Sequence, residues 1–87
     1  MGKLARFRVV YEEDASEFIF AQGKAKGRQL LDICHTIGEY PFAEADYILP
    51  DEDGRPIAHV STEGYVIGYW VEMAVKRVVI IEIEREE

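Results

Sequence analysis

The sequence predicts an α+β domain of two layers, with two N-terminal helices packed on a mostly antiparallel sheet in the order strand, helix, helix, strand, strand, strand (βααβββ). Three observations predict it. Phe7, Val9 and Tyr11 alternate with Arg6, Arg8 and Val10, the period of a half-buried strand. Leu30, Ile33, Cys34 and Ile37 fall at i, i+3, i+4 and i+7, one face of a helix. Tyr65, Ile67, Tyr69 and Val71 then alternate, and the apolar run Val78-Val79-Ile80-Ile81 follows. Packing the helices on one face of the sheet buries all of these stripes at once. The 87 residues make a single domain, 1–87. A chain this short buries only roughly 60–65% of the surface its unfolded form exposes, so its stability margin is thin.

The first strand runs to Tyr11 and is stopped by Glu12-Glu13-Asp14. Asp14 and Glu17 have capping-box spacing, which predicts a helix over residues 15–22; a strand through residues 18–21 is the rival reading. Gly23 breaks the chain. The second helix is predicted over residues 26–37, with Gly38 as a left-handed C-terminal cap and Pro41 forbidding continuation. Leu30, Ile33, Cys34 and Ile37 should be buried. Residues 41–56 read as loop, with turn chemistry at Asp51-Glu52-Asp53-Gly54. A strand over residues 57–61 turns at Thr62-Glu63-Gly64 into the strand that starts at Tyr65. After a connection over residues 72–76, residues 78–81 and Ile83 predict a central strand buried on both faces, with Ile81 in the core. Glu84 to Glu87 form a charged tail. The first strand should lie beside one of the hairpin strands.

Cys34 is the only cysteine, so no disulfide can form within the chain, and a reducing compartment, the cytoplasm, is expected. The Met1-Gly2-Lys3-Leu4 start precedes no long apolar run, so no secretory signal and no membrane span are expected. The net charge is −7. Residues 1–30 hold six basic and four acidic side chains; residues 31–87 hold four and thirteen. A polyanion would therefore favour the N-terminal third.

Several side chains could carry chemistry. His59 with Arg55 pairs an acid–base group with a phosphate clamp; the competing reading is a strand histidine bonded locally and a turn arginine in solvent. Lys24, Lys26 and Arg28, with Arg6 and Arg8, could make a basic patch for a polyanion, or simply a solvated helix start. Cys34 and His35 point about 100° apart on a helix, which disfavours a nucleophile pair, and one cysteine with one histidine is a poor zinc site, so no metal and no cofactor are expected. The acidic loop around Glu44, Asp46 and Asp51-Glu52-Asp53 does not have calcium-loop spacing. On the last hairpin, Trp70, Val66 and Tyr65 are candidate interface residues, with Trp70 the natural anchor. A homodimer through that surface is expected.

The element order resembles the RelE/ParE toxin superfamily, and so do local segments. Phe7-Arg8-Val9-Val10-Tyr11-Glu12-Glu13-Asp14-Ala15 is similar to the family's opening strand and helix, and residues 30–41 to its second helix ending at a proline. Gly54-Arg55-Pro56-Ile57-Ala58-His59-Val60 with Gly64-Tyr65-Val66-Ile67-Gly68-Tyr69-Trp70-Val71 resembles its central hairpin, and residues 78–83 its last long strand. The resemblance implies a toxin of a toxin–antitoxin pair, with a cognate antitoxin as partner and the ribosome with its mRNA, or DNA gyrase, as target. For the RNA-cutting members it implies basic residues on the middle strands and toward the C-terminal end, which here maps to His59, Arg55 and Arg85. Cleavage needs a base for the 2′-hydroxyl, charge stabilisation at the phosphate and an acid for the leaving oxygen. Val66 stands where the family has an arginine after Gly-Tyr, Ile57 at another basic position, and Glu82, Glu84, Glu86 and Glu87 crowd the end. A non-catalytic interaction domain, or a decayed orphan toxin acting as a homodimer, is the alternative.

Overall fold

The computed structural model describes residues 7–86; the Met1-Gly2-Lys3-Leu4 start, Arg6 of the first strand and basic patch, and Glu87 of the tail lie outside the described residues. The elements are β1 (Arg8–Tyr11), α1 (Glu13–Ala21), α2 (Lys24–Glu39), β2 (Tyr47–Pro50), β3 (Pro56–Thr62), β4 (Tyr65–Glu72), a 3-10 turn (Met73–Val75) and β5 (Arg77–Arg85). The five strands form one sheet in the order β1-β5-β4-β3-β2. β1 runs parallel to β5, and the other pairings are antiparallel. This is the predicted α+β arrangement with one strand added.

The added strand is β2, inside the segment read as loop. Its Tyr-Ile-Leu triplet is a good strand former, but its four residues are all exposed, so no buried stripe announced it. It pairs with β3 from Tyr47↔His59 to Pro50↔Pro56.

Both helices start earlier than predicted. Glu12 is already fixed to the sheet by its N–H bond to the Ile80 carbonyl, 2.9 Å, and its own carbonyl accepts from Ser16. The helix therefore begins at Glu13, and no side chain caps it. Asp14 lies inside the first turn, where with Glu13 it favours the positive end of the helix dipole, and is not the cap. Gly23, at φ 87°, turns the chain directly into α2 at Lys24.

α2 also runs past Gly38 to Glu39, so Gly38 is not a left-handed cap. Its value is closeness. A Cβ there would stand 2.5 Å from Val9 Cγ2 and 3.1 Å from the Phe7 carbonyl oxygen. Only glycine lets the end of α2 touch β1, and the Phe7 N–H bonds the Gly38 carbonyl at 3.2 Å.

The helices cover one face of the sheet. Leu30, Cys34 and Ile37 of α2, with Ala15 and Ile19 of α1, pack on Tyr65, Ile67, Tyr69, Val78, Ile80 and Ile83. Ile33 is only partly buried. β5 carries a bulge: Gly68 faces Glu82 while Tyr69 faces Ile80, leaving Ile81 unopposed. The bulge resets the alternation. Val78, Ile80 and then Ile83 face the helices, whereas Ile81 is half-exposed and lies on the opposite face. Burial on both faces thus holds for residues 78–80, with Val79 covered from the far side, and Ile81 is not core.

Candidate functional site

Among the described residues, the sheet face away from the helices carries two shallow depressions. The first, of about 510 Å³, has an apolar bed of Leu49, Ile57 and Ile81 with His59, Glu82 and Asp51 around it. The second, of about 390 Å³, lies among Val10, Glu12, Arg55, Glu72, Arg77 and Val79.

Strand pleating and the bulge together build the first depression. His59 is opposite Gly68 on β4 and Tyr47 on β2. The Tyr47 ring stacks on the imidazole, with centroids 4.6 Å apart and planes 9° from parallel. Gly68 leaves room beneath the ring, since a Cβ there would lie 3.1 Å from His59 Nε2. The bulge brings Glu82 to the same face, and Glu82 Oε2 is 3.4 Å from His59 Nε2. His59 is 6% exposed, and its Nδ1 is buried without a hydrogen-bond partner among the described residues. One ring nitrogen therefore faces a carboxylate and the other is shut away from solvent. Neither is presented openly to a substrate.

Arg55 sits in the turn before β3. Its Nε donates to Asp51 Oδ2 at 2.7 Å, and its backbone N–H donates to Asp51 Oδ1 at 2.9 Å, as does the Asp53 N–H. Partial desolvation pushes the Asp51 carboxyl up, but these hydrogen bonds and the guanidinium charge outweigh it and hold it below its ordinary value. The hydrogen bond to Asp51 raises Arg55 in turn. The guanidinium also lies over the Trp70 ring, 5.7 Å from its centroid, a cation–π contact. Arg77, across the second depression, donates to Glu72 Oε1 at 2.7 Å from Nε.

The predicted site residues thus separate. His59 and Arg55 share the open face, each engaged with a carboxylate. Arg85 does not join them: past the bulge its side chain turns to the helix side and donates to Oε1 of Gln22, the residue just after α1, at 2.7 Å. Of the expected interface residues, Trp70 is half-buried under Arg55, and Val66 is half-buried opposite Ser61 and Glu84. Tyr65 is on the other face, 5% exposed and edge-on to Phe18. Tyr47 and Glu82 are the partners of His59 that sequence reasoning missed. Tyr47 lay in an unrecognised strand, and Glu82 reaches His59 only because of a bulge that no residue in β5 signals. Cys34 is fully buried in the core, as predicted, and His35 is exposed on α2. Burial pushes the Cys34 thiol from 9.0 to about 12. Among the described residues no group of three or more His, Cys, Asp or Glu side chains is placed to hold a metal ion. No helix among them is long and apolar enough to cross a membrane.

No protein-family model and no curated protein sequence matches the chain. Solved structures do match in three dimensions. The toxin–antitoxin complex RelBE2 from Mycobacterium tuberculosis superimposes with a TM-score of 0.79 at 13% identity, over 97% of this chain and 95% of the other. The archaeal RelE–RelB complex from Pyrococcus horikoshii gives 0.70 at 15% identity, covering 93% and 96%. The isolated E. coli RelE toxin gives 0.72 at 20% identity, covering 93% and 85%. The chain has the RelE fold. At these identities the likeness is one of fold, and the side chains of the open face speak for themselves.

Proposed function

We propose that this chain is a RelE-type toxin of a toxin–antitoxin pair, held by a cognate antitoxin in the cytoplasm, and that it does not cleave RNA at an appreciable rate. The first half is supported by the fold, shared over nearly the whole chain with proteins solved as toxin–antitoxin complexes. The second half rests on one observation: Arg55, Arg77 and His59 on the open face each lie against a carboxylate, Asp51, Glu72 and Glu82 respectively. A scissile phosphate placed over these groups would meet the carboxylates first, and electrostatic stabilisation of the transition state there would be weak.

The test is induction of the chain alone and together with the product of the adjacent small open reading frame, alongside a ribosome-programmed cleavage assay. Growth arrest relieved by the neighbour, without codon-positioned cleavage, is the expected result and directs the search to another target such as DNA gyrase. Neither arrest nor a complex with the neighbour would overturn the toxin reading and leave a non-catalytic interaction domain. Robust cleavage abolished by His59→Ala would overturn the second half.

A second reading concerns assembly. β2 ends the sheet, and Ile48 and Leu49 on it are 60% and 53% exposed. An open, apolar edge strand invites pairing with another strand. Without its antitoxin the chain would pair as a homodimer along this edge, with the Trp70 face close by. Light scattering at micromolar concentration decides it, and a monomer mass refutes it.

A further inference from the structure

We propose that the depression between β2, β3 and the β5 bulge binds a linear polyamine, a small molecule whose ammonium groups are joined by methylene chains. The bed of this 510 Å³ depression is Leu49, Ile57 and Ile81. Ile57 is buried, but Leu49 is 53% exposed and Ile81 half-exposed, so part of the bed still faces water. Leu49 and Ile57 are register partners, which sets their side chains together on the open face.

Carboxylates stand at both ends of the bed. Asp51 and Glu52 lie in the turn after β2, and Glu82 lies at the bulge, in line with Gly68 and His59 across the sheet. Asp51 is paired with Arg55, whose guanidinium is turned to it and to the Trp70 ring and does not line the bed. Glu82 meets His59 only at 3.4 Å and keeps a side chain 49% exposed. Glu52 is exposed, and among the described residues its side chain makes no hydrogen bond or ion pair. The two ends are separated along β3 by the rise from Arg55 to His59, about 13 Å of strand.

The buried histidine sets the chemistry of the ligand as much as the carboxylates do. With the Glu82 carboxylate at Nε2, the neutral His59 ring carries its proton there, and the unpartnered Nδ1 is a bare acceptor. Every polar side chain lining the bed then accepts hydrogen bonds and none donates. An ammonium is the complement, with three donors and no acceptor. A phosphate or carboxylate would meet only acceptors and like charge. A bare metal ion is poorly served, since among the described residues no three ligating groups converge, and it would make no use of the bed. A chain of methylenes between ammonium groups covers Leu49, Ile57 and Ile81 while its ends reach Glu52 and Glu82. The site stands whether or not the chain is a toxin.

The probe is spermidine, titrated at fixed ionic strength into the isotope-labelled full chain and followed by NMR. Amide and methyl shifts centred on Leu49, Ile57 and Ile81 are expected. Glu52→Gln and Glu82→Gln, both at exposed positions, should each weaken binding about threefold, and Leu49→Ser by about the same factor through lost apolar contact, with unchanged circular dichroism. Two other ligands test the site without altering the protein. Ethylenediamine is too short to reach both ends, and cobalt(III) hexaammine carries the charge and N–H donors of spermidine without its methylenes. Each should bind about tenfold more weakly than spermidine. Equal binding of cobalt hexaammine would reduce the effect to net acidity and overturn the proposal. Shifts spread over acidic positions such as Glu13, Asp14 and Glu84, or no binding at millimolar spermidine, overturn the site. Unchanged affinity in the double variant Glu52→Gln with Glu82→Gln overturns the two-ended geometry. The titration needs neither growth arrest nor RNA, so its failure and that of the toxin reading are told apart.

Discussion

The two faces of the sheet are built from the same pleated strands and are stabilised differently. On the helix side, Leu30, Ile67, Val78 and Ile80 are fully excluded from water by a second layer. On the open side, Ile57, His59 and Val79 reach 4–9% exposure with no layer over them. They are covered by their own neighbours: Tyr47 lies flat on His59, and Arg55 spans the Trp70 ring. The first face gains from apolar area removed from water. The second depends on side chains held down by ion pairs, and those pairs occupy the groups that chemistry would need. Where a face has no covering layer, the polar side chains that shield it are not free to act on a substrate.

Ile80 and Ile81, adjacent in β5, test that contrast most severely. Ile80→Ala removes a fully buried side chain from the helix-side core and should cost about 2–5 kcal/mol. In a small domain that is a large part of the total. Ile81→Ala, at the half-exposed bulge, should cost well under half as much. Chemical denaturation of the two variants checks it, and equal losses would mean that the bulge does not divide the faces.

Gly38→Ala is the next largest. The added methyl would meet Val9 and the Phe7 carbonyl at the distances given above, and overpacking of this kind costs about 1–3 kcal/mol. The direction is informative, because an ordinary helix interior gains from Gly→Ala. A stabilised Gly38→Ala in a thermal melt would show that β1 does not need to approach α2 so closely.

Legibility in the sequence followed the same division. The helix-side core was readable because burial on one face writes itself as period 2 or 3.6: Phe7-Val9-Tyr11, Leu30-Cys34-Ile37 and Tyr65-Ile67-Tyr69 all fall where the alternation puts them. The element order and the RelE fold came from those stripes. The open face left no such trace. β2 has no buried residue, so its exposed Tyr-Ile-Leu passed for loop. The bulge at Ile81 depends on pairing with β4, a long-range fact; without it the alternation puts Glu82 on the helix side and Ile83 and Arg85 on the open face, while Ile81 reads as core only because the whole apolar run reads as buried on both faces. Gly38 carried a real signal that was assigned to the wrong cause, since a glycine near a helix end suits close packing as well as a left-handed cap. His59 and Arg55 could be picked out by residue type, but the carboxylates that engage them could not.

Alkaline pH gives a gentler probe of the covered side. Desolvation by burial pushes the Tyr11 hydroxyl from 10.0 to about 12, with the neighbouring Cys34 adding to it, and burial does the same to the Cys34 thiol. Both groups hold their protons more tightly folded than unfolded. Their contribution is therefore complete below pH 9 and is lost as pH rises toward 12. The melting temperature should be flat from pH 7 to 9 and then fall, and the fall should be shallower in Cys34→Ala after allowing for its lower starting point. An alkaline limb unchanged by Cys34→Ala and by Tyr11→Phe would place the titration elsewhere.

The smallest effect on stability, and the sharpest test of the open face, comes from removing its carboxylates. Glu72→Gln and Glu82→Gln take the charged partners from Arg77 and His59 while nearly keeping side-chain volume. The Arg77 and Glu82 side chains are 36% and 49% exposed, so both pairs are well screened by water. Each should be worth only about 0–1 kcal/mol, and the double variant should melt close to the parent. Its affinity for single-stranded RNA should change more. Arg77 becomes an uncompensated cation beside Arg8, its register partner on β1. Releasing one cation to contact phosphate should steepen the slope of log affinity against log salt by about 0.7. The parent should bind such RNA weakly at every salt concentration. Parent and variant binding alike, with the same salt slope, would show that the ion pairs are not what keeps phosphate off this face, and the case against RNA cleavage would lose its support.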